Sequence, residues 1–150
     1  MIHSAIASLP DLYEEDETAW LDAIADLIQQ GRYAELDYPH LAEFLTDMAI
    51  RDRREVESRL ALLIAHVLKW TYQPDKRSRS WRATIIEQRH ELARNLGRGV
   101  LRNHAKAVLA EAYNEAVERA AAETGPSAET FPAECPHTLE QLLSPDLLAE

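Results

Sequence analysis

The sequence predicts an all-α protein, on three observations. Glycine occurs only four times in 150 residues while Ala, Leu, Glu and Arg dominate, a composition that favours helix over strand. Apolar residues recur at three- and four-residue spacing along most of the chain. Capping residues and Gly or Pro stops fall at the ends of those stripes. The expected architecture is an antiparallel bundle of four main helices, one of them very long, with a short C-terminal helix. A single domain over residues 1–150 is expected from the length.

Residues 1–10 read as a loose tail ending at Pro10. The first helix is expected over about Leu12–Gln30, with Asp11 as N-cap and Glu14 placed for a capping box. Trp20, Ile24, Leu27 and Ile28 make its apolar stripe, and Gly31 suits its C′ position. The second helix is the long one, about 39–71, preceded by Asp37 or Tyr38 and opened by Pro39. Leu41, Phe44, Leu45 and Met48 form one patch on it; Val56, Leu60, Leu63, Ile64 and Val67 form another. Arg51-Asp52-Arg53-Arg54-Glu55 separates the two and is charged on every face.

Tyr72 to Ser78 is expected to be a loop, since Pro74 sits in it and the apolar period stops. Ser78 or Ser80 caps the third helix, whose stripe is Trp81, Ile85, Leu92 and Leu96. Gly97-Arg98-Gly99 breaks it. The fourth helix covers about Val100–Glu123, and small residues such as Ala105, Ala112 and Ala116 on its stripe let neighbours approach closely. Gly125-Pro126 ends it. Residues 126–150 form a proline-rich loop and one short helix packed on the bundle, near Leu139–Leu143, with Thr138 and Gln141 as a capping box.

Composition narrows the function classes. A net charge of −10 argues against general nucleic-acid or anionic-membrane binding. The uncharged run Leu60–Leu68 is about half a bilayer span. Met1 to Leu9 has neither the basic nor the long apolar region of a secretory signal. Cys135 is the only cysteine, so no internal disulfide forms, and cytoplasm is the simplest location.

One segment stands apart. Lys69, Trp70, Tyr72, Lys76, Arg77, Arg79, Trp81 and Arg82 gather basic and aromatic side chains in an acidic chain. Such a mixture can hold an anion, a protein partner or stacked bases. The structural reading weighs more: Trp70 and Trp81 close a helix corner, mostly buried and close together, Lys69 and Arg77 answer the carbonyls of the second helix or pair with nearby acids, and at least one of Arg77, Arg79 and Arg82 bridges to an acid of the first or second helix, for example Glu14, Glu15, Asp16 or Glu57.

Among six histidines, Glu87/His90 fits Glu-x-x-His once on a helix and Glu134/His137 once in a loop. No metal site is expected from so little, and His66 reads as a hydrogen-bonded buried histidine. Cys135 beside His137 suggests a nucleophile and its base, but a buried, inert Cys anchoring the C-terminal loop is the stronger reading. No phosphate loop, serine elbow or zinc spacing appears. Neither catalytic residues nor a cofactor are expected.

Leu12-Tyr13-Glu14-Glu15-Asp16, Ala19-Trp20-Leu21, Arg53 to Leu60, Leu68-Lys69-Trp70, Tyr72-Gln73-Pro74, Arg77 to Ile85, Ala110 to Tyr113, Glu123-Thr124-Gly125, Phe131-Pro132 and Cys135 to Gln141 occur in order. In these runs the chain resembles the bacterial family catalogued as domain of unknown function twenty-nine, over about Leu9 to Leu148. The resemblance implies an all-helical single domain and brings no activity, cofactor or catalytic residue with it. The expected role is a non-enzymatic interaction or adaptor protein with a protein partner, or a homodimer through the long helix. The rival is an anion-binding or nucleic-acid-associated regulator using Lys69–Arg82.

Overall fold

The computed structural model describes residues 8–148. They are helical, with no strand among them: α1 (Leu9–Glu15), α2 (Glu17–Gln29), α3 (Tyr38–Tyr72), α4 (Arg79–Asn95), α5 (Val100–Thr124) and α6 (Leu139–Leu142), joined by 3₁₀ turns at Tyr33–Glu35, Pro74–Lys76 and Ala128–Thr130. Two compact units form, one up to Ile50 and one from Arg51 onward, and α3 runs through both.

In the first unit the expected helix over Leu12–Gln30 is two helices. Asp16 leaves the helical region at φ −153°, ends α1 and caps α2, its Oδ1 accepting the Ala19 amide at 3.1 Å. A short carboxylate that takes an orphan amide competes with its own helical conformation, which is why the break falls there. The start also differs. Ser8, not Asp11, caps α1, and Leu9 and Pro10 belong to the helix rather than to a tail. Proline fits a first turn because its missing N–H is an orphan anyway. The rest of the expected tail, 1–7, lies outside the described residues. Gly31 closes α2 as expected: at φ 74° its amide bonds Ile28 O, and the Arg32 amide bonds Leu27 O, a Schellman closure.

The second unit holds the larger core. Along α3 the buried residues run from Val56 to Lys69, and they meet Ile85 and Leu92 of α4 and its C-cap Leu96, Ala105, Ala112, Tyr113, Ala116 and Ala120 of α5, and Phe131, Leu139 and Leu142 of the C-terminal segment. Four alanines on one stripe of α5 give its neighbours close approach. Arg59 bonds Gln88, whereas Glu57 meets His104 and Lys69 meets Glu123. Hence α4 runs against α3, and α5 runs with it. The capping box of Thr138 and Gln141 forms around α6.

Candidate functional site

The basic-aromatic corner is built where α3 and α5 both end. Helix C-termini carry unsatisfied carbonyls and partial negative charge. Here two such ends lie at the same side of the second unit, and the basic residues answer them. Arg77 Nε donates to Trp70 O at 2.8 Å, and Lys76 Nζ donates to Thr124 O at 3.0 Å. The Arg77 guanidinium also stacks 4.8 Å from the Trp70 ring centre. Ser78 caps α4 by accepting the Trp81 amide, which fixes where the corner turns.

Lys69 is only 4% exposed. Its ammonium donates to Glu123 Oε2 at 2.6 Å and to His66 Nε2 at 3.4 Å, and lies 5.0 Å from the Trp81 ring centre. The Lys69 hydrogen bond holds the Glu123 carboxyl below its usual range, against the opposing effect of burial. Burial pushes His66 below the ordinary histidine value. With Lys69 donating to Nε2, His66 is assigned the Nδ1–H tautomer, which donates to Leu62 O at 3.0 Å. His66 is the buried, hydrogen-bonded histidine the sequence predicts.

Trp70 and Trp81 are mostly buried, and each presents one ring face to a cation. Trp20 is the fully enclosed tryptophan. Tyr72 meets Phe131 edge-on, at 5.5 Å between centroids. Arg79 and Arg82 are exposed on the first turn of α4. The site residues thus divide into three groups: Lys69, Lys76 and Arg77 held by the fold, Trp70, Tyr72 and Trp81 packed at its edge, and Arg79 and Arg82 presented outward. Glu57, expected as an arginine partner, pairs with His104 Nε2 at 2.9 Å.

A second constellation lies in the first unit. Asp37 is buried and its Oδ2 accepts from both Trp20 Nε1 at 3.1 Å and His40 Nδ1 at 2.8 Å. Burial alone would raise the Asp37 pKa. The bonds from His40, Trp20 and the His40 amide outweigh it and leave the carboxyl below its usual range. His40 stacks on Tyr13 at 4.3 Å, and its Nε2 stands 3.7 Å from Glu14 Oε1. Nothing in the spacing of Trp20, Asp37 and His40 marks this set; the signal was that Asp37 precedes α3, where a carboxylate caps. A histidine oriented by a carboxylate is also the start of a general base or a metal ligand. No group of three or more His, Cys, Asp or Glu is arranged for a metal ion among the described residues.

Cys135 is half-buried rather than buried. Its thiol donates to His137 O at 3.3 Å, and burial pushes its pKa up, away from the thiolate a nucleophile needs. Tyr113 ties the same segment to α5 by donating to Pro132 O at 2.6 Å, and burial raises its own pKa to about 12.

The fold and these side chains define an all-helical protein whose polar groups chiefly fasten helix ends and buried corners. The chain belongs to the family described as domain of unknown function DUF29, whose model matches residues 12–148. Neither a curated protein nor a solved structure matches it. No helix among the described residues is long and apolar enough to cross a membrane.

Proposed function

We propose that this chain is a non-enzymatic helical interaction protein of the bacterial cytoplasm, acting by holding a protein partner. The observation that supports it is where the large apolar side chains are left bare. Among the described residues, Ile28, Tyr33, Tyr38, Leu45 and Ile50 fall in the first unit and Val100 alone in the second. Grouped exposed apolar residues mark contact surfaces. The cytoplasmic part rests on the single Cys135, which leaves no internal disulfide to form.

A photo-crosslinking amino acid placed at Leu45 in cells, with an exposed polar control at Glu118, tests the reading. Adducts heavier than the free chain are expected at Leu45 and not at Glu118. Equal yields at the two positions refute it.

A second reading, anion binding at the corner, is favoured by Arg79 and Arg82 at the capped start of α4. Phosphate should then raise the melting temperature of the wild-type chain but not of an Arg79→Gln, Arg82→Gln double variant. Equal shifts in both would remove the corner from consideration.

A further inference from the structure

We propose that the first unit, from Ser8 to Ile50, docks a basic amphipathic helical segment of another protein. This rests on the interaction reading above and names the chemistry of the partner. The surface is one side of α3. Tyr38, Ala42 and Leu45 follow one another at helical spacing of four and three residues and are all exposed, Tyr38 by 53% and Leu45 by 59%. Glu43 and Asp47 are also exposed, on another face of the same helix. A partner helix can lay a leucine stripe on this apolar strip while its lysine or arginine side chains meet the acidic unit around it, in the manner of amphipathic-helix recognition.

Charge decides the occupant. Residues 1–50 hold eleven Asp or Glu against one Arg, a net −10; residues 51–150 hold fifteen acids and fifteen bases, a net of zero. The whole net charge of the chain is therefore carried by the unit that also bears the bare apolar side chains. Its one basic residue, Arg32, is committed: Nε and Nη2 grip Glu35 at 2.6 Å each, and Nη1 bonds Gln30. The acids are concentrated in space as well. After burial, the Tyr13 hydroxyl is raised by Glu43, Glu17, Asp47 and Glu14 together. A second copy of this chain would bring −10 against −10, and nucleic acid or an anionic bilayer would meet the same repulsion. A cationic helix gains steering from that field and apolar burial from Tyr38 and Leu45.

The test uses the full chain and three fluorescent peptides: a Leu/Lys amphipathic helix, the same residues scrambled, and a Leu/Glu counterpart. The amphipathic cationic peptide should bind, more weakly as salt rises. Leu45→Ser, with helix content checked by circular dichroism, should weaken it about tenfold, the loss of one buried leucine contact. Val100→Ser in the other unit should leave it unchanged. Equal binding of the scrambled peptide, or no effect of Leu45→Ser, overturns the proposal by reducing the effect to bulk acidity. A concentration-dependent dimer abolished by Leu45→Ser would also overturn it, since the occupant would be a second copy. If crosslinks at Leu45 in cells identify a partner without a basic segment, this inference fails and the interaction reading stands; if Leu45 crosslinks no more than Glu118, both fail.

Discussion

Lys69 shows how one residue sets the character of the basic corner. A buried ammonium is tolerable only while its partners are present, because desolvation makes an unpaired charge far costlier than a missing pair. The two ends of the Lys69–Glu123 pair are therefore unequal: the lysine side chain is 5% exposed and the glutamate 45%. Glu123→Ala strands the ammonium with only His66 and the Trp81 ring, and should cost about 1–3 kcal/mol once the exposure of Glu123 is allowed for. Lys69→Met keeps the apolar stem and returns Glu123 to water, at a cost of about 1 kcal/mol or less. Urea denaturation of both variants checks the order; Lys69→Met being the more damaging would refute this account.

His66 adds a pH dependence. Its folded pKa lies below the ordinary 6.5, so the unfolded chain takes up the proton first. The histidine's contribution is complete above about pH 6.5 and declines as pH falls from there toward the lower folded value. His137 is also pushed down by burial and acts in the same direction. The urea midpoint should therefore drop between pH 7.5 and 5.5, and the drop should shrink in His66→Gln. Parallel pH profiles for the two proteins would show that His66 does not titrate on unfolding.

At the scale of elements, what the sequence made legible follows the strength of the local signal. The long helix was read to within one residue at each end, because Pro39 opens it and Pro74 closes it. The alanine stripe of α5, the Gly31 and Gly125 stops and the Thr138–Gln141 box were legible for the same reason: each is a local rule with one outcome. The break at Asp16 was hidden, since Leu12 and Tyr13 stand seven residues before Ala19 and Trp20, as one continuous helix would have them, and one capping side chain decides. The Trp20–Asp37–His40 set was hidden too, because its members meet only through the packing of α2 against the first turns of α3. Asp16→Ala tests what makes the break. If the cap sets it, the loss should be about 1 kcal/mol, the usual value of an N-cap carboxylate, visible as a lower melting temperature. An unchanged melting temperature would assign the break to the packing of Trp20 instead.

Across the whole molecule, α3 is one continuous helix serving two units with very different support. All its buried residues lie between Val56 and Lys69, while Tyr38 to Ile50 is exposed or half-buried throughout. Between them stands Arg51 to Glu55, the charged run with which the second unit begins. Backbone bonds alone do not stabilise a helix segment in water; packing of an apolar face does. The first unit also carries the chain's entire net charge, so its own repulsion opposes compactness. Hydrogen exchange should resolve this along a single helix. Amides over 56–69 should exchange slower than those over 38–50, on the order of 100-fold, because the first segment opens locally while the second opens only with the core. Added salt screens the acidic unit and should slow exchange over 38–50 while leaving 56–69 nearly unchanged. Uniform protection from Tyr38 to Tyr72, insensitive to salt, would show that α3 opens as one cooperative element and that the charge imbalance carries no energetic weight.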